Sequence, residues 1–125
     1  MPRRVEQVVF VVHGIVTIAA AIVLVVAPAA IPATVGIALR PEGYLLSYFL
    51  AAAELAIGLL SIGTAWIQDR GAVRLVAGSF AVFHAATAVL EGVHLATQGY
   101  SVVLLVNVIV RVIVCGVFLV IAVRR

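Results

Sequence analysis

The chain has 125 residues, of which 66% are hydrophobic and 10% charged, where a soluble domain carries roughly a quarter of its residues as charges. Water is therefore not the main solvent for its surface, and the length accommodates a single domain, 1–125, with no polar linker or charge run dividing it. A net charge of +3 does not imply nucleic acid as a partner, because the arginines flank or enter apolar stretches instead of clustering on a solvated face.

Four apolar runs near 5–27, 44–66, 72–93 and 100–123 are each about 20 residues long, the length a helix needs to cross the hydrocarbon core. Unbroken runs of this kind, without alternation or regular turns, predict helices and not a barrel, since lipid cannot satisfy exposed backbone groups. The expected fold class is thus all-α, an integral membrane up-down bundle of four transmembrane helices with the lipid bilayer as its first partner.

The first run begins after Arg3-Arg4 and ends at Ala27-Pro28-Ala29, which superficially resembles a secretory signal. Its apolar part extends from Val8 to Ala27, beyond the roughly 7–15 residues of a signal core, so it reads as a membrane helix. His13 and Thr17 lie one turn apart on one face, with Glu6 and Phe10 leading into it. The segment 28–43 follows, apolar but interrupted by Pro28 and Pro32, as expected of an interfacial or partly re-entrant outer loop. A lid and an ordinary loop at the headgroups are both consistent with it.

The second run carries Ser47, Ala51, Glu54, Gly58, Ser61 and Ala65, a stripe of small residues that permits close helix approach and holds one acid. Turned inward, the stripe lines a pocket. Turned outward, it serves assembly as a homodimer or as a subunit of a membrane complex. In the third run His84, Thr87, Glu91 and His94 follow one another at steps of three and four and share one side of a helix. The fourth has Asn107 and Arg111 one turn apart, and Cys115, the single cysteine, reads as a buried thiol.

Short connections at 67–71 and 94–99 predict antiparallel neighbours. Arg3, Arg4, Arg70, Arg74, Arg124 and Arg125 then fall on one side and Arg40 on the other. By the positive-inside rule both termini are cytoplasmic and the protein is a multi-pass component of the cell membrane.

Ionisable side chains inside a membrane are costly and mark function or pairing. A rise of about 1.5 Å per residue puts Glu54, His84 and Arg111 near the midplane, His13 slightly to the cytoplasmic side, and Glu91 and His94 toward the outer interface with Tyr44, Tyr48 and Tyr100. Arg111 needs a carboxylate, with Glu54 and Glu91 as the acids expected inside spans; Glu54 is the first choice. The catalytic candidates are Glu54, His84, Glu91 and Arg111, and the ligand-binding candidates His13, Thr17, Tyr48, Thr87 and Asn107.

Such a set suits acid/base chemistry on a lipophilic small molecule, for example an isomerisation, an epoxide opening or a cyclisation, with Glu54 or Glu91 as base and His84 as acid. No cofactor is called for. Glu91-x-x-His94 has the spacing used in di-iron bundles, but a second such pair and further carboxylates are missing. Axial haem ligation by His13 and His84 is disfavoured by their different depths. A small transporter is the main alternative, although its resemblance to small multidrug-resistance transporters stops at size and helix count. The acid those proteins need in the first helix is replaced by His13, and Arg111 repels a cation.

Val26-Ala27-Pro28, the run Glu54-Leu55-Ala56-Ile57-Gly58-Leu59-Leu60 and the turn Asp69-Arg70 give the chain a layout that resembles small DoxX-like and related uncharacterised four-helix bacterial membrane proteins. The resemblance implies a four-helix fold and assigns no activity or functional residue.

Overall fold

A computed structural model describes residues 3–125. It is all-helical: α1 (Arg3–Val26), a single turn α2 (Ala30–Thr34), a 3₁₀ turn at Pro41–Gly43, α3 (Tyr44–Thr64), α4 (Arg70–Gln98) and α5 (Val102–Arg124). Helices α1, α4 and α5, and the segment Pro41–Thr64 containing α3, are long and apolar enough to cross a membrane. Large apolar side chains point outward along all four, including Val26 at 78%, Leu75 at 72%, Leu90 at 70% and Val123 at 74% exposure. Continuous apolar surface of this kind is not tolerated by monomers in water.

The described chain divides into two compact units, residues 3–66 and residues 67–125. In the first, α1 and α3 pack as an antiparallel hairpin, with Phe10 and His13 near Ser61, Gly14 near Gly58 and Ile62, and Pro28 near Ser47. The buried residues of α1 are Glu6, Phe10, Gly14, Thr17, Ala21 and Leu24, a stripe at steps of three and four. Those of α3 include Ser47, Ala51, Gly58 and Ser61. The small-residue stripe expected on this helix is therefore real, and it meets α1 at Gly58 and Ser61. Gly14, which the sequence reading did not single out, is its counterpart. A Cβ on Gly14 would lie 2.5 Å from Ile62 Cγ1 and 2.7 Å from the Gly58 carbonyl oxygen. Only hydrogen at both positions lets the two backbones approach this closely.

Between these helices the segment 28–43 contains short helical turns and is not a plain loop. Thr34, the last residue of α2, donates its hydroxyl hydrogen to the Ile31 carbonyl at 2.7 Å. The turn is closed by Gly36 at φ 81°, a left-handed conformation for which glycine is suited. Ser47 Oγ donates to the Pro28 carbonyl at 2.8 Å, tying the start of α3 to the end of α1.

In the second unit, α4 and α5 form an antiparallel hairpin joined by Gly99–Ser101, where Gly99 has φ 117°. Each helix starts with a side-chain cap: Asp69 accepts from Ala72 N at 2.7 Å and Ser101 from Leu104 N at 3.3 Å. Phe80 meets Phe118 edge-on, centroids 5.2 Å apart. Two expected boundaries are corrected here. Helix α4 runs on through His94 to Gln98, and α5 begins at Val102, so the connection expected at 94–99 is three residues instead of six. Apolarity marks where a helix contacts lipid, while its hydrogen-bond ladder continues through polar residues until the glycine. At 29 residues α4 is about 43 Å long and exceeds a hydrocarbon core of about 30 Å.

The two kinds of glycine give a direct comparison. Gly14→Ala should destabilise the protein by about 1–3 kcal/mol through overpacking. Gly78→Ala, whose Cβ would meet nothing within 4 Å, should be neutral or stabilise by up to about 1 kcal/mol through helix propensity. Reversible unfolding in mixed detergent micelles checks both.

Candidate functional site

Polar side chains that the sequence placed inside spans form one cluster in each unit. In the first hairpin Ser61, fully buried, donates its hydroxyl hydrogen to the Phe10 carbonyl at 2.8 Å and lies 2.9 Å from His13 Nδ1. A serine has one hydrogen to give. With that hydrogen committed to Phe10, Ser61 accepts from His13, so Nδ1 is a protonated nitrogen of the ring. Thr17 donates to the His13 carbonyl at 2.7 Å. Thus His13 and Thr17 are adjacent as expected, but Thr17 spends its hydrogen within α1. Ser61, noted in the sequence only as a small residue, is the interhelical partner. Glu6, treated as leading into the span, is buried at 5% exposure in the first turn of α1, where the helix dipole favours an acid. Glu54 is half-buried on α3, and Tyr48 is 43% exposed.

In the second hairpin Glu91 is the centre. Its Oε1 accepts from Asn107 Nδ2 at 2.9 Å and from Arg111 Nε at 3.1 Å. Asn107 and Arg111 are one turn apart on α5, so both reach the same carboxylate on the facing helix. The carboxylate that pairs with Arg111 is therefore Glu91, a correction to the preference for Glu54. The preference arose from depth: with the span ended at 93, Glu91 fell at the interface. With α4 extending to Gln98, Glu91 stands seven residues, or about 10 Å, inside the helix end and level with Asn107 and Arg111.

The ion pair is largely shielded, with side-chain exposures of 21% for Arg111 and 18% for Glu91. Phe83 lies under the guanidinium, 5.8 Å from ring centroid to Cζ, a cation–π contact that offsets part of the cost of removing the charge from water. Glu91 Oε2 is buried and accepts no hydrogen bond among the described residues. His84, 7% exposed, stacks on Phe118 with centroids 6.1 Å apart and planes 5° from parallel, and meets Phe83 edge-on at 5.2 Å. It is built into an aromatic column two turns from Glu91. Thr87 donates to the Phe83 carbonyl at 2.8 Å, and His94 is exposed.

The second hairpin thus brings Glu91, Asn107 and Arg111 together and adds Phe83, which the sequence reading did not name. Phe83 stands one turn before Thr87 and two before Glu91, and that spacing was its signal. No group of three or more metal-ligating side chains occurs among the described residues, so Glu91 and His94 have no further ligands beside them. No family model, curated protein or solved structure matches the chain. Its class accordingly rests on its own features, an all-helical protein with four helices fit to cross a membrane.

Substitution tests the shared carboxylate. A double-mutant cycle on Glu91→Gln and Arg111→Gln should give a coupling of about 1–2 kcal/mol, measured by unfolding in detergent, and Asn107→Leu should weaken that coupling. Ser61→Ala should cost about 1 kcal/mol by leaving His13 Nδ1 without its acceptor.

Proposed function

We propose that this chain is an integral membrane protein that binds a lipophilic small molecule at the Glu91–Asn107–Arg111 cluster and performs acid/base chemistry on it. The observation that carries this reading is the asymmetry of Glu91. Two donors hold Oε1, which fixes the carboxylate, while Oε2 is buried with no hydrogen-bond partner among the described residues. A carboxylate serving only as a helix-register device has no need to bury an unsatisfied oxygen, which carries a desolvation cost. An oxygen kept in this condition is suited to take a proton.

The chemistry that fits best is a double-bond shift next to a carbonyl. Glu91 Oε2 takes a proton from the carbon beside the carbonyl, and the electron pair moves onto the carbonyl oxygen. Arg111 has its Nε committed to Glu91, and its terminal amino groups have no protein acceptor among the described residues. They are the donors for the developing oxyanion. The substrate being a β,γ-unsaturated carbonyl compound, the species formed is a dienolate. Glu91 returns the same proton to the γ-carbon of the dienolate as the carbonyl re-forms and the double bond comes to lie between the α and β carbons, so the isomerisation balances without a co-reactant. His84 lies about 10 Å from Glu91 along α4, and Glu91 therefore acts as both acceptor and donor of the proton.

In this reading the two hairpins assemble as an up-down four-helix bundle in the cell membrane. Both termini are cytoplasmic, from the arginines at 3–4, 70–74 and 124–125. The resemblance of the layout to DoxX-like proteins is in keeping with that arrangement and implies no particular chemistry.

Mass spectrometry of the detergent-purified protein tests the site. Wild type should retain a co-purifying lipophilic carbonyl compound that folded Glu91→Gln and Arg111→Ala variants lose, and that compound becomes the substrate to assay for isomerisation. Equal retention by all three forms would assign the cluster to helix packing, leaving a transport or subunit role. Retention without turnover would leave a binding protein.

A further inference from the structure

The face of α4 turned away from Glu91 carries a feature that the cluster does not use. Gly71, Arg74, Leu75, Gly78, Ser79 and Val82 line a shallow, open groove along the outer face of this one helix. At 3.6 residues per turn these positions fall roughly opposite the buried stripe of Val73, Ala77, Phe80, His84 and Ala88. The groove is exposed, with Leu75 at 72% and Val82 at 69%. Gly78 forms its floor, and a Cβ added there would meet no atom within 4 Å. The hydroxyl of Ser79 is already committed to the Leu75 carbonyl at 2.9 Å. The groove beyond Arg74 therefore presents carbon to whatever lies in it.

We propose that this groove holds one acyl chain of an anionic phospholipid, with the phosphate at Arg74. Length and charge both favour this occupant. From Gly71 to Val82 the groove extends about 16 Å along the axis, close to half of a hydrocarbon core of about 30 Å, which is the depth of a single leaflet. Its charged end coincides with the end of the hairpin that carries Arg70, Arg74 and Arg124. The acid there, Asp69, is occupied as the N-cap of α4. Basic residues at the apolar boundary attract anionic headgroups. A second copy of the chain fits less well, because a two-fold axis along the membrane normal would set Arg74 against Arg74.

The proposal is independent of the acid/base reading, since it uses the opposite face of α4. Its test titrates the delipidated full chain with phosphatidylglycerol or phosphatidylcholine of identical acyl composition, read by native mass spectrometry, with sedimentation reporting oligomeric state. Wild type should retain phosphatidylglycerol about fivefold over phosphatidylcholine, the effect of one basic residue at an anionic surface. Arg74→Gln should abolish that preference, and Gly78→Leu, which fills open space and leaves the fold intact, should reduce retention of both lipids. Retention unchanged in either variant would overturn the proposal. So would a wild-type dimer that Gly78→Leu converts to monomer, which would assign the face to a second copy.

Discussion

A polar group on a helix suited to lipid has to find its partner within the protein or remain at a cost, and the interfaces of both hairpins are organised by that constraint. In lipid the backbone is satisfied by the helix itself, which leaves the side chains as the remaining problem. Ser61 settles one instance by donating to the Phe10 carbonyl and accepting from His13. Glu91 settles another by accepting from Asn107 and Arg111 on the neighbouring helix. Thr17, Thr64, Ser79, Thr87 and Thr97 donate to the carbonyl four residues earlier, so their hydroxyls are satisfied within one helix and exert no pull on a neighbour.

The two hairpins reach close packing by different means. Between α1 and α3, glycine meets glycine and the backbones come near enough for a serine to bond a carbonyl across the interface. Between α4 and α5, aromatic rings occupy the interface, with Phe80 and His84 against Phe118 and Phe83 under Arg111. The aromatic interface also shelters a charge, because the faces of the rings favour a cation. The ion pair therefore belongs with this interface, and the His13–Ser61 pair with the glycine one.

A buried ion pair is weak evidence for stability, since desolvation can cancel its attraction. Its value here is geometric. One oxygen of Glu91 is immobilised by two donors, and the other is buried with no hydrogen-bond partner among the described residues. A carboxylate positioned in this way is the arrangement expected of an acid/base group more than of a structural bolt, and its proposed chemistry follows from that asymmetry.

The class of the protein was legible in the sequence because solvent preference is additive along the chain: four runs of apolar residues need no knowledge of their neighbours to identify a helix suited to lipid. Polar residues at steps of three and four were legible for the same reason, since helical periodicity alone puts His84, Thr87 and Glu91 on one side. Partners were not. Pairing Arg111 with Glu91 depended on where α4 ends, and Gly99 ends it five residues beyond the last strongly apolar stretch, which moved Glu91 from the interface to the level of Asn107 and Arg111. Gly14 opposite Gly58, and Ser61 between Phe10 and His13, are likewise decided by which faces of two helices meet across 40 or more residues of chain. That register is set by packing, and packing is a property of the pair of helices and of neither sequence segment alone.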